Sequence, residues 1–98
     1  MKSFEKHILK AIPKVRKEYL KEWNKEIHKD IYFELDSIEI IYEDDCSWAE
    51  VTIRWGRDDE KLPFHNKITF AVYPRHLKYL VGYILGVVEY EEQADLII

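Results

Sequence analysis

The sequence predicts one small α+β domain in the order α-β-β-β-α, and three observations predict it. Apolar residues recur at helical spacing near both ends of the chain, alternate with polar residues through its middle, and are separated there by short polar segments. A chain of 98 residues has no room for a second independently folded unit, so we treat residues 1–98 as one domain. We expect a three-stranded antiparallel meander packed on one face by two helices.

The first helix is predicted by apolar residues that recur every three or four positions between Phe4 and Ile27. Pro13 lies inside this pattern, where it removes a backbone donor at a cost of ~3 kcal/mol. We therefore expect a short first turn capped by Ser3, a main helix that starts near Pro13, and an end near Lys29.

The middle of the chain predicts three strands. In the first of them, the apolar residues before and after Asp36-Ser37 are out of phase, so we expect a β-bulge there that returns the later side chains to the core face. The predicted segments are strand 31–43, hairpin loop 44–47, strand 49–55, polar connection 56–63 and strand 64–72.

The second helix begins near Pro74, and its apolar positions cover more than one stripe, which predicts burial on more than one side. Gly82 and Gly86 each cost roughly 1 kcal/mol in a helix interior, so we expect close helix packing or a contact with a second copy to offset them. The chain ends with apolar residues that predict a short C-terminal strand or a partner contact: Leu96, Ile97 and Ile98.

Charge is unevenly distributed. Residues 1–29 hold nine Lys or Arg against four Glu, although the whole chain has a net charge of −4. A basic ridge on the first helix could contact a polyanion, and the alternative is a solvated face that balances an acidic remainder. The candidate polyanion-binding residues are Lys10, Lys14, Lys17, Lys21, Lys25, Arg75 and Lys78.

The predicted element order is similar to that of double-stranded-RNA-binding domains, which use basic residues at the start of their second helix. Arg75, His76 and Lys78 open the second helix here. The stretch has no tight lysine pair and no alanine-rich helix, and Asp44 and Asp45 occupy the first hairpin loop. The resemblance is one of topology, and it implies nucleic-acid binding only as an alternative function.

Acidic residues cluster in the two predicted connections between strands. A basic partner could bind them, and the alternative is that they increase solubility and protect sheet edges. With the apolar tail they form the candidate partner-binding set: Asp44, Asp45, Asp58, Asp59, Glu60, Leu96, Ile97 and Ile98. Further acids near the end of the second helix oppose its dipole, so we expect bases of the first helix or of a partner to compensate them.

Motifs for catalysis are missing from the sequence. It has no phosphate loop, dinucleotide fingerprint or nucleophile elbow, its four His are scattered, and the single Cys46 cannot form an intramolecular disulfide. There is no signal-peptide pattern, and the longest apolar stretch, 77–88, is too short for a bilayer span. We expect a cytoplasmic protein that is not an enzyme, binds no metal or cofactor and does not enter membranes.

These observations predict a small acidic protein-binding or accessory domain, such as an inhibitor, an immunity protein or a viral accessory protein. A homodimer is also expected, because the second helix and the tail offer more apolar surface than one sheet face covers. Nucleic-acid binding through the basic first helix is the alternative. A composition rich in Lys, Glu, Ile and Tyr is typical of hyperthermophile proteins and of AT-rich genomes.

Overall fold

A computed structural model describes residues 2–21, 31–43, 46–57 and 64–96. The three strands form one antiparallel sheet in the order β1-β2-β3, and the predicted α-β-β-β-α architecture is confirmed. In chain order the elements are α1 (Lys2–Lys21), β1 (Ile31–Glu43), β2 (Cys46–Arg57), β3 (Phe64–Val72), a 3₁₀ helix (Pro74–Tyr79) and α2 (Leu80–Leu96).

α1 runs without a break across Pro13, so the predicted restart at that residue is wrong. Ile8 and Val15 lie on either side of the proline and are both fully buried, and burial of this stripe outweighs the local cost. Pro13 itself is exposed, as is Leu9, whose carbonyl loses its helical partner and can bind water instead. The predicted helix end near Lys29 lies outside the described residues.

β1 contains the predicted bulge. Leu35 pairs with Ile53 and Ser37 pairs with Thr52, so the register skips Asp36. The extra residue keeps the apolar side chains before and after it on the same face of the sheet, as their change of phase predicts.

The second strand is longer than predicted at both ends, whereas the first has its predicted bounds. β1 continues to Glu43 and β2 begins at Cys46, so Cys46 and Ser47 belong to a strand rather than to the hairpin loop. The antiparallel pairing of Glu43 with Cys46 leaves only residues 44–45 as the connection.

Both helices pack on one face of the sheet, which we call the inner face; the opposite side is the outer face. The inner-face residues of β2 are fully buried: Ala49, Val51, Ile53 and Trp55. The helices bury several further side chains against them: Ile8, Val15 and Tyr19 from α1, and Ile84 and Val88 from α2. The predicted meander with two helices on one face is therefore confirmed.

α2 remains helical through Leu96, so the predicted C-terminal strand is wrong for residues 95–96, while residues 97–98 lie outside the described part of the chain. The helix is broadly buried, as predicted, but it keeps an exposed stripe that contains Gly82, Gly86 and Tyr90. Apart from the adjoining residues and the backbone of α2 itself, no described atom lies within 4 Å of a Cβ built on either glycine. Close packing within the described chain therefore does not account for them, and contact with a second copy stays a prediction.

Candidate functional site

Most of the predicted partner-binding residues lie outside the described part of the chain. Asp44, Asp45, Asp58, Asp59, Glu60, Ile97 and Ile98 lie outside the described residues, and only the helical backbone is described at Leu96. Their role in binding stays a prediction.

The described lysines of the predicted polyanion-binding set form one exposed ridge on α1: Lys10, Lys14, Lys17 and Lys21. Lys21 is paired with Glu18 at an N···O distance of 3.1 Å, and Lys25 lies outside the described residues. Arg75 and Lys78 are exposed on the 3₁₀ helix that follows β3.

The outer face of the sheet is a second surface, which the sequence does not single out. The strand register aligns its side chains in rows that cross the sheet. At the end where β1 begins, these rows are internally paired. The contacts are Tyr32 with His65 (2.6 Å), Glu34 with Arg54 (2.8 Å), Asp36 with Lys67 (3.2 Å) and Thr52 with Thr69 (2.7 Å).

Toward the other end of the outer face, the rows no longer contain oppositely charged or hydrogen-bonded pairs of described residues. Glu39 lies directly opposite Glu50, which in turn pairs with Ala71; we call Glu39 and Glu50 the carboxylate pair. The next row is formed by Ile41 and Trp48, which are paired across β1 and β2, and by Tyr73, which follows β3 and contacts Trp48; we call these three residues the apolar row. Its Trp48 and Tyr73 rings lie 5.9 Å apart, centroid to centroid, and all three residues are half-buried.

Tyr73 is held in this row by the turn that follows β3. The His76 backbone N–H donates to the Tyr73 carbonyl, and the Tyr73 backbone N–H donates to His76 Nδ1, both at 2.9 Å. The His76 ring stacks on Tyr83 with centroids 3.9 Å apart. Burial lowers the pKa of His76, and the charge of Arg75 lowers it further. Because Nδ1 accepts the Tyr73 N–H, the neutral form of the ring carries its proton on Nε2.

Two further contacts stabilise the turn that follows β3. The Tyr83 hydroxyl donates to the Ala71 carbonyl at 2.6 Å, and burial raises the pKa of this phenol. The Arg75 guanidinium lies over the Tyr73 ring, 4.5 Å from its centroid, which is cation–π distance. His76 and Tyr83 therefore act as supports that position Tyr73 and Arg75 at the end of the apolar row.

One acid near the end of α2, Glu92, has partners other than the predicted bases. The Glu92 carboxylate accepts hydrogen bonds from the Tyr19 hydroxyl (2.5 Å) and from the Trp55 indole N–H (2.9 Å). Core aromatic groups, rather than Lys or Arg, thus satisfy this carboxylate. Glu92 is half-buried and links α1, β2 and α2 through these hydrogen bonds.

Sequence reasoning missed the outer face because the charges that define it are not consecutive in the chain. A signal was present: with a turn near residue 45, the alternation of β2 places Trp48 beside Glu50 on the face opposite Val51. The residues opposite Trp48 and Glu50 depend on the length of the turn between β1 and β2, because the register is continuous from the Glu43–Cys46 pair back to the Ser37–Thr52 pair.

The chain matches no family model, and no curated protein or solved structure is significantly similar to it. Among the described residues there is no group of three or more His, Cys, Asp or Glu that could hold a metal ion. Within the same ranges, neither helix combines the length and the apolarity that crossing a membrane requires.

Proposed function

We propose that this protein is a small acidic protein-binding domain and that the outer face of its sheet is the binding surface. The observation that carries the proposal is the apolar row, which runs from β1 across β2 to the residue after β3, on the face opposite α1 and α2. Large apolar side chains placed side by side on an open face are typical of protein-binding surfaces.

The residue types at the Tyr73 end of the apolar row support the proposal. Trp, Tyr and Arg are the residues most enriched among those that dominate binding energy at protein interfaces, and Trp48, Tyr73 and Arg75 are contiguous here. They stand on a sheet and on a hydrogen-bonded turn, so little ordering is required when a partner binds.

The native cysteine allows a direct test. Cys46 is exposed, and because it lies two residues from Trp48 along β2, it shares the outer face. A benzophenone maleimide attached there should crosslink a single protein from the source cell. The matched control, Lys14→Cys in a Cys46→Ser background, places the same label on the basic ridge of α1 and should capture nothing.

Purified and mixed with the unlabelled chain, the captured protein should bind with defined stoichiometry, and Trp48→Ala should weaken binding at least about tenfold. Capture from position 14 alone, or a purified candidate that binds Trp48→Ala as tightly as the unaltered chain, would overturn the proposal.

A second candidate function, nucleic-acid binding, is favoured by the single exposed stripe that Lys10, Lys14, Lys17 and Lys21 form. It requires affinity for duplex RNA or DNA that falls steeply with salt. Fluorescence anisotropy with a labelled duplex should detect such binding, and the double variant Lys14→Glu, Lys17→Glu should abolish it. Salt-independent or undetectable binding would exclude this candidate and leave the outer face as the functional surface.

A further inference from the structure

The carboxylate pair is an unfavourable arrangement on its own. Glu39 and Glu50 are exposed and directly opposite each other, so their Cβ atoms are roughly 5 Å apart, a placement at which like charges repel. Neither side chain has a hydrogen bond or an ion pair with any described residue. Each carboxylate is therefore left to solvent or to a group from outside.

Other acids of the same face form ion pairs. Glu34 has Arg54 across the strand and Asp36 has Lys67, at 2.8 Å and 3.2 Å. The fold can thus place a base beside an outer-face acid, yet it places a second acid opposite Glu39. The third member of that row, Ala71, is too small to cover the carboxylates.

The adjoining apolar row supplies a complementary group. Trp48 lies two residues from Glu50 on β2, so their Cα atoms are ~7 Å apart on the same face. A planar guanidinium stacked on an indole at this spacing can direct its N–H groups at the neighbouring carboxylate. The Arg75 guanidinium already lies at cation–π distance from the Tyr73 ring at the other end of the row, whereas no cation from the described residues lies over Trp48.

We infer that the outer face binds an arginine side chain of its protein partner, with the guanidinium stacked on Trp48 and hydrogen-bonded to Glu39 and Glu50. This inference rests on the proposed function, because it names the chemistry that the same surface recognises. Lysine supplies the charge without the flat, forked geometry, so arginine is the preferred residue. The pair repels phosphate, so a nucleic acid is not the occupant of this face.

Two blocked peptides of alternating Gly and Arg or alternating Gly and Lys test the inference on the full chain. Each is titrated into the ¹⁵N-labelled protein at low salt while the indole N–H signal of Trp48 is followed. The arginine peptide should shift this signal saturably and bind about tenfold more tightly than the lysine peptide. The double variant Glu39→Gln, Glu50→Gln should weaken binding about tenfold, and the matched control Glu34→Gln, on the same face, less than about twofold.

Thermal unfolding of the same variants separates binding from folding. Because replacing either member of the pair removes repulsion, the double variant should be at least as stable as the unaltered chain while it loses the peptide. Equal affinity for both peptides, or undiminished binding by the double variant, would overturn the arginine inference. The Cys46 crosslink decides the proposed function separately, since a partner captured there without arginine preference leaves protein binding intact.

Discussion

The two faces of this sheet differ in how much of their surface the rest of the described chain covers. On the inner face, Val51, Ile53 and Trp55 have no exposed surface, and both helices cover them. On the outer face, Glu50 and Arg54 are exposed, while Thr52 between them is buried and hydrogen-bonded to Thr69. Stability therefore depends mainly on one face, and the other can carry residues chosen for binding.

The outer face is itself divided along the strands. Where β1 begins, each acid has a cationic neighbour; beyond the bulge, the carboxylate pair and the apolar row remain without one from the described residues, apart from Arg75 on Tyr73. Locally unfavourable choices on an otherwise consistent fold are expected at functional sites. The contrast between the halves thus identifies the second half as the place to test for function.

The largest loss of stability should come from creating a cavity on the inner face. Ile53→Ala removes one methylene and two methyl groups from a fully buried position, so we expect a loss of about 2–5 kcal/mol in the free energy of unfolding, measured by urea denaturation. Arg54→Ala, the next residue but on the outer face, should cost much less. Equal losses from both variants would contradict the assignment of the core to one face.

A somewhat smaller loss is expected from Glu92→Leu, which removes the acceptor of the buried Trp55 indole N–H. Hydrogen bonds to charged groups contribute ~1.5–3 kcal/mol, and the unfolding free energy should fall by about that amount. Glu92→Gln keeps an acceptor oxygen and should lose less. Glu91→Leu serves as the control, and if it matched Glu92→Leu, the loss would reflect helix position rather than the hydrogen bond.

Acidification should lower the free energy of unfolding through His76, which lies in the turn that positions Tyr73. The pKa of His76 is lowered from 6.5 by burial, so below pH 6.5 the unfolded chain binds a proton that the folded chain resists. The stabilising contribution is complete above pH 6.5 and is lost as pH falls toward the lowered value, by at most about 1.4 kcal/mol per pH unit.

His76→Gln should remove this part of the pH dependence, measured by denaturation between pH 7.5 and pH 5, while His65→Gln at the opposite end of β3 should retain it. If both variants retained the full slope, the titrating group would lie elsewhere.

Much of the fold could be predicted because it depends on local periodicity. The change of phase at Asp36-Ser37 predicts the bulge, since only an extra residue keeps both apolar sets on one face. The continuous helix across Pro13 could not be predicted from local sequence. The cost of this proline can be stated from the sequence, but the burial that outweighs it depends on packing against β-strands far along the chain.

The candidate site could not be predicted in the same way. Glu39 and Glu50 are separated by a turn and face each other only because of the length of that turn and the register beyond the bulge. Runs of acids such as Asp44-Asp45 are conspicuous in a sequence, whereas opposed single acids are not. For the same reason the role of Glu92 was missed, because its partners Tyr19 and Trp55 lie on two other elements.

The smallest expected effect compares two acids of the outer face and should differ in sign. Glu50→Gln relieves repulsion from Glu39 and should raise the unfolding free energy by roughly 0.2–0.5 kcal/mol, whereas Glu34→Gln loses its contact with Arg54 and should lower it slightly. Denaturation at low and high salt checks this, because screening should shrink both changes. If Glu50→Gln destabilised the chain, Glu50 would contribute to folding, and the reason to assign it to binding would be lost.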